Sequence, residues 1–198
     1  MTVKIRLAHA DDAAGVQAIY APYCESTTVS FEVVAPTIDQ MRERIARIGA
    51  AYPWVVAESN GRLLGYVYAG QFRERAAYRW SVEVAVYVAM SEQRRGLGRA
   101  LYTTLFSILR SQGYSKAIAS ITLPNPASVG LHEGVGFRPA GCFPGVGFKA
   151  DKWLDVGWWH LELQPEADKP REPTAIGELL HSAELSTAFD EGSQLIRG

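Results

Sequence analysis

The chain has 198 residues, 47% of them hydrophobic and 21% charged, with a formal net charge of −1. This is the composition of an ordinary folded domain long enough to bury a real core. The balanced charge excludes a basic field spread over the chain, and with it the simplest case for nucleic-acid binding. No apolar run approaches the length of a membrane span, so no membrane partner is expected. Cys24 and Cys142 have neither metal-ligand spacing nor a disulfide framework. They read as reduced thiols of a cytoplasmic protein, and no metal is implied.

Along the chain, Met1–Ala8 alternates (Val3, Ile5 and Leu7 against Lys4 and Arg6) and reads as a strand over Val3–Ala8, not a signal peptide. Asp11 or Asp12 can cap a helix reaching Tyr23, with Val16, Ile19 and Tyr20 on one face. Thr27–Phe31 is β-branched and short, a loop or a brief strand. Thr37-Ile38-Asp39-Gln40 has the form of a capping box and opens a second helix to Gly49. Trp54–Glu58 and Leu63–Ala69 flank Ser59-Asn60-Gly61, a strong hairpin signal. A strand over Arg79–Val88 follows, then a helix over Gly98–Gln112 closed by Gly113. Ala117–Ile121 is a buried-type strand. Asn125 before Pro126 starts a helix that ends near Val135. Arg138–Phe143 and Trp153–Leu163 are the last strands, the second placing Leu154, Val156, Trp158 and His160 on one side. Gln164–Pro173 holds three prolines among charges and reads as a linker. Ile176, Leu179, Leu180 and Ala183 have helical spacing, so a short helix follows, either mobile or docked. The order is β-α-α-β-β-β-α-β-α-β-β, an α/β chain with a mixed, mostly antiparallel sheet. The division is a domain over residues 1–163 and an appendage over 164–198.

The most informative stretch is Gln93-Arg94-Arg95-Gly96-Leu97-Gly98-Arg99-Ala100. A strand runs into a glycine-rich turn that opens a helix, which places free N–H groups at a positive helix end. Gly96 and Gly98 admit close approach and positive φ. Arginines are unfavourable at a helix N-terminus, so Arg94, Arg95 and Arg99 there point to an external anion. The stretch lacks the Lys-Ser/Thr of a P-loop and the three spaced glycines of a dinucleotide site. Upstream, Glu83 lies in an apolar strand on one face with Ala85 and Tyr87. A carboxylate there needs a salt bridge to Arg73, Arg75 or Arg79, or a chemical task such as accepting a proton.

The Gln93–Gly98 motif between strand and helix, with Asn125 and Leu131-His132-Glu133-Gly134-Val135-Gly136-Phe137 behind it, resembles the GNAT superfamily of acyl-CoA N-acyltransferases over residues 3–163. The stretches Thr27–Phe31, Tyr52–Glu58, Ala77–Glu83, Val86–Val88, Leu123–Asn125, Gly147–Lys149 and Trp153–Val156 more closely resemble the phosphinothricin and methionine sulfoximine acetyltransferases. The resemblance implies a GNAT fold, a sheet splayed between its fourth and fifth strands and flanked by helices, with acetyl-CoA in the cleft and a homodimer as the assembly.

It also implies roles. The backbone of Val86, Tyr87 and Val88 pairs with pantetheine amides, as an added strand would. Arg94, Arg95, Gly96, Leu97, Gly98, Arg99 and Ala100 wrap the pyrophosphate, and Asn125 bonds the CoA arm besides capping its helix. Glu83 is the general base, and a backbone N–H near Val88 stabilises the oxyanion. His132, where many members carry tyrosine, is the acid for the CoA thiolate or a second base. Arg75, Tyr78 and Arg79 are expected to hold the acceptor's anionic groups, since guanidinium forks suit carboxylate and phosphinate; Arg73 best fits a solvated loop. Thr28, Phe31, Lys149 and Trp153 are further pocket or dimer-edge positions, the first three taken as substrate-binding. Trp153, Trp158 and Trp159 read together as sheet core and dimer surface. Two alternatives stay open: an acetyltransferase for another amine, such as a polyamine or protein N-terminus, and a non-catalytic acyl-CoA-binding module.

Overall fold

The computed structural model describes residues 3–196; Met1 and Thr2, at the head of the alternating run, and Arg197 and Gly198 lie outside the described residues. Strands β1 (Lys4–Leu7), β2 (Trp54–Ser59), β3 (Arg62–Gln71), β4 (Ser81–Val88), β5 (Lys116–Leu123), β6 (Arg138–Lys149) and β7 (Lys152–Glu162) form one sheet in the order β1-β2-β3-β4-β5-β7-β6. The helices are α1 (Ala13–Ser26), α2 (Ile38–Gly49), α3 (Leu97–Gln112), α4 (Pro126–Gly134) and α5 (Ala183–Gln194).

Alternation sends the two sides of each strand to different helices. Val55, Ala57, Val67, Val82 and Val84 pack with Leu101, Leu105 and Ile108 of α3. Trp54, Val56 and Tyr66 pack on the other face with Val16, Ile19 and Tyr20 of α1 and Met41 and Ile45 of α2. The Thr37 hydroxyl accepts from Gln40 N while Gln40 Oε1 accepts from Thr37 N, the reciprocal cap expected of that sequence. Asn60 and Gly61 both take positive φ in the β2–β3 turn.

The feature that makes a site is the join between β4 and β5. These strands run parallel and pair only at Ser81–Lys116, Val82–Ala117 and Glu83–Ile118. Beyond Glu83, β5 stays with β7 along its whole length while β4 stays with β3. The sheet therefore forks just past Glu83, splayed between its fourth and fifth strands as expected.

Several boundaries differ from the sequence reading. Asp12 does not cap α1. Its carboxylate accepts from Arg6 and from His9 N, and a 3-10 turn over Ala10–Asp12 precedes the helix. Helix α1 continues past Tyr23 to Ser26, with Pro22 inside it, and 27–31 is a loop. Strand β4 starts at Ser81, after a 3-10 turn at Ala76–Tyr78, so Arg79 is not in it. Strand β6 runs to Lys149, well past Phe143. Its register shifts at Pro139/Gly141 and Phe143/Gly147 interrupt the alternation that would have revealed it. The β6–β7 turn uses Ala150 and Asp151 at positive φ, which carries no Asn-Gly signal. In the tail, the helical spacing at Ile176–Leu179 is a 3-10 turn, and the helix lies later, at α5, capped by Ser182. It is docked on α3 and β1.

Candidate active site

The fork opens on the α1/α2 side of the sheet as a cleft of about 1210 Å³. Glu83, Val84, Ala85 and Tyr87 line it from β4, and Ser120 and Thr122 from β5. Val156 and Trp158 close it from β7, and Tyr68 and Gly70 from β3. Ser30, Phe31 and Glu32 reach it from the loop after α1, and Phe72, Arg73, Glu74, Arg75 and Tyr78 from the loop before β4.

Glu83 stands at the fork itself. Its Oε1 accepts from Ser120 Oγ at 3.0 Å, and this hydroxyl, not an arginine, is its partner. The register explains the pairing. Glu83 sits beside Ile118, and Ser120, two residues on, returns to the same face. Tyr68 is nearby: burial first, and the Glu83 charge second, push its phenol up to about 12, so it remains a neutral donor in the cleft wall.

The arginines are distributed differently from the sequence expectation. Arg73 and Arg75 line the cleft, joined by Arg47 of α2. The Arg73 guanidinium lies 4.9 Å above the Phe72 ring and 5.8 Å from that of Trp158. Arg79 faces elsewhere. It bonds Ala76 O and Glu172 and lies over Trp80. Phe31 and Tyr78 are in the cleft, whereas Thr28 is not among its lining residues. Lys149 is buried. Its Nζ donates to Cys24 O and Ser30 O at 2.6 Å and to Glu32 O at 2.8 Å. It thereby anchors the loop that carries Phe31. The three tryptophans separate: Trp158 faces the cleft, Trp159 enters the core, and Trp153 is 69% exposed.

His132 lies outside the cleft, 5% exposed against Tyr102 and Phe137. Its Nδ1 lies 2.8 Å from Ser128 O, an acceptor, so this nitrogen carries the proton. Nε2 then accepts from Tyr102 Oη at 2.7 Å. Both nitrogens are thus engaged within the fold. Burial lowers its pKa from 6.5, partly opposed by the Ser128 bond. A histidine held neutral binds fewer protons folded than unfolded, so stability is complete above the unfolded pKa and is lost as pH falls below it. A urea-denaturation series below pH 6.5 should show this loss in the wild type and a flatter dependence in His132→Gln; equal slopes would contradict it.

The fork also frees a strand edge. Ala89 N donates to Leu64 O at 2.8 Å, which makes Val88–Gly65 a non-hydrogen-bonded pair of the antiparallel ladder. The main-chain groups of Val86 and Val88 consequently face away from β3, toward the gap left by β5, while those of Tyr87 bond to β3. Tyr23 Oη donates to Val88 O at 2.6 Å and accepts from Gln93 Nε2, so that carbonyl is occupied and the Val88 N–H is the group left. Past β4, Arg94 and Gly96 both take positive φ and turn the chain into α3. No side chain caps α3, and its first intrahelical bond is Ala100 N to Gly96 O, so the N–H groups of Leu97, Gly98 and Arg99 have no helical acceptor. Gly98 answers a packing need as well, since a Cβ there would lie 2.8 Å from Leu131 of α4. Of the arginines, Arg95 pairs with Glu92 at 2.5 Å and Arg99 donates to Gly134 O at 3.0 Å. Arg94 makes no such contact among the described residues and leaves its charge exposed. Asn125 Oδ1 accepts from Ser128 N at 3.1 Å and so caps α4.

An unpaired edge of extended backbone leading to an uncapped helix N-terminus fits a long ligand with amides at one end and a phosphate diester at the other. Among the described residues no group of three or more His, Cys, Asp or Glu could hold a metal, and no helix is long and apolar enough to cross a membrane.

The comparisons with known proteins agree with that geometry. The family described as "Acetyltransferase (GNAT) domain" matches residues 5–158. The chain belongs to this family and is an acetyl-CoA-dependent N-acetyltransferase. It is 40% identical to a phosphinothricin N-acetyltransferase of Streptomyces viridochromogenes, over 86% of this chain and 94% of that one. It is 35% identical to an L-methionine sulfoximine/L-methionine sulfone acetyltransferase of Pseudomonas paraeruginosa, over 86% of this chain and 100% of that one. Among solved structures, a phosphinothricin acetyltransferase from Sinorhizobium meliloti in complex with AcCoA superposes with a TM-score of 0.82 at 34% identity, covering 88% of this chain and 96% of that one.

Proposed function

We propose that this enzyme acetylates the amino group of a small amino acid carrying a second anionic or strongly polar group, of the phosphinothricin or methionine sulfoximine type. The observation that carries this reading is the joint presence of Glu83 and of Arg47, Arg73 and Arg75 among the residues lining one cleft at the fork. Arginine forks match carboxylate and phosphinate oxygens. Of the cleft carboxylates that could attract a polycation instead, Glu32 is already held by Arg44 at 2.6 and 3.1 Å, which leaves Glu74 and Glu83. The relatives named for these substrates support the same class.

In this reading acetyl-CoA supplies an activated thioester carbonyl. The Val86–Val88 edge holds its amide-bearing arm. Residues 94–100 hold its pyrophosphate, and Asn125 lies where the arm passes α4. Arg73, Arg75 and Arg47 orient the acceptor by its anions. Glu83, itself oriented by Ser120, takes the proton from the ammonium and leaves a nucleophilic amine. The nitrogen forms its bond to the carbonyl carbon within the ternary complex, and the Val88 N–H stabilises the oxygen on which charge develops. As the tetrahedral intermediate collapses the C–S bond breaks, the attacking nitrogen gives its second proton to water, and the departing thiolate takes its proton from water, because both His132 nitrogens are engaged inside the fold.

The assembly we infer is a homodimer through β6. This edge strand and its neighbour expose Phe143, Val146, Phe148 and Trp153, a patch that an unpartnered edge rarely carries. The two free thiols agree with a cytoplasmic setting. Release of free CoA with phosphinothricin and methionine sulfoximine, against polyamines and peptides, tests the function. Turnover on the first two and none on the others is expected. Turnover confined to polyamines or peptides, or binding of acetyl-CoA with no acceptor used, would contradict it.

A further inference from the structure

The three relatives described above are matched over 94–100% of their own lengths yet span only 86–88% of this chain. The family match ends at residue 158, so the extra length falls mainly in the tail, and the tail is firmly placed. Trp80 Nε1 donates to Arg171 O at 2.7 Å, and Arg79 pairs with Glu172. Gln112, at the end of α3, donates through Nε2 to Thr174 O at 2.8 Å and accepts at its backbone carbonyl from Thr174 N. Ile176, Leu185 and Ala188 then join the main core.

From there α5 runs back along α3. The two helices come close at Gly192, where a Cβ would lie 2.0 Å from Thr104 Oγ1, 2.9 Å from Ala100 O and 3.0 Å from Ile5 Cδ1. Only glycine allows the two helices to come this near. Thr104 Oγ1 is buried there. One turn further, Leu195 O lies 3.4 Å from the Cβ position of Gly96, the positive-φ residue that turns the anion loop into α3. The helices are antiparallel, so the negative end of α5 abuts the positive start of α3.

We infer that α5 is a positioning element for the anion loop, with Gly192 as its contact residue. It fixes the first turn of α3 and the conformation at Gly96. The inference rests on the reading that residues 94–100 hold the pyrophosphate of acetyl-CoA. It therefore predicts an effect on donors that carry a pyrophosphate and none on donors that lack it.

The test compares acetyl-CoA with acetyl-pantetheine, which has the thioester and amides but neither pyrophosphate nor adenosine. Two variants are used: Gly192→Leu, and a chain ended after Gln194. The second keeps Leu185 and Ala188 in the core and carries the test if the first does not fold. Each should raise KM for acetyl-CoA about tenfold, while kcat and KM for acetyl-pantetheine change less than about twofold. Unchanged preference for acetyl-CoA, or equal losses with both donors, would overturn the inference and leave α5 as packing alone. A wild-type enzyme with no preference between the donors would instead overturn the loop reading beneath it.

Discussion

Glu83→Gln should lower kcat by about 10²–10⁴-fold, the usual contribution of a positioned general base. Glutamine keeps the volume and can still accept from Ser120 through its amide oxygen, so the fork and the β4–β5 pairing should survive. The change removes the ability to take a proton from the bound ammonium. Acetyl-CoA binding, which this account places on the Val86–Val88 edge and the 94–100 loop, should be unaltered in calorimetry. A variant that kept most of its turnover would remove Glu83 from the mechanism. A variant that lost acetyl-CoA binding as well would show a structural role.

Lys149→Met, behind the cleft, should cost substantial stability. The ammonium satisfies the carbonyls of Cys24, Ser30 and Glu32 at once. Methionine fills the space and leaves three acceptors stranded in a buried pocket. Each unsatisfied group costs about 1–3 kcal/mol; with some relief from the half-exposed rim, a loss of about 3 kcal/mol is expected from urea unfolding at unchanged m. The functional consequence is distinct. The three carbonyls bracket the segment that brings Ser30, Phe31 and Glu32 to the cleft, so KM for the acceptor should rise while KM for acetyl-CoA stays. A stability loss below 1 kcal/mol would show that water replaces the ammonium without difficulty.

Much of this was legible in the sequence because it is locally encoded. Asn60-Gly61, the Thr37–Gln40 box, Asn125-Pro126 and the Gly96 turn each specify their own backbone geometry within a few residues. Glu83 stood out because a carboxylate in a strand of valines conflicts with its surroundings. What was not legible depends on distant partners. Arg79 was expected at the acceptor and Arg73 in solvent, and the reverse division is decided by Glu172 and Trp80 for one and by Phe72 and Trp158 for the other. Lys149 looked like a pocket residue because nothing nearby shows that three carbonyls from the end of α1 and its following loop will enclose it. His132 sits in the motif, but its environment comes from Tyr102 on another helix. Ser120 could have been found by strand parity once β4 and β5 were set parallel, but the register between them is not written in either strand. The tail helix was misplaced because Ile176, Leu179, Leu180 and Ala183 have helical spacing just ahead of it, although Leu185 and Ala188 of α5 also reach the core.

The central claim is that the fork holds an acceptor amine beside a proton acceptor, and the pH dependence of kcat/KM for the acceptor tests it most directly in wild type and Glu83→Gln. With Glu83 present, the bound ammonium is the productive form, and the profile should be flat through neutral pH. Without it the enzyme must capture an amine already deprotonated in solution, so log kcat/KM should climb with unit slope up to the acceptor's own amine pKa. Two parallel profiles, differing only in height, would contradict the account and move proton removal away from Glu83.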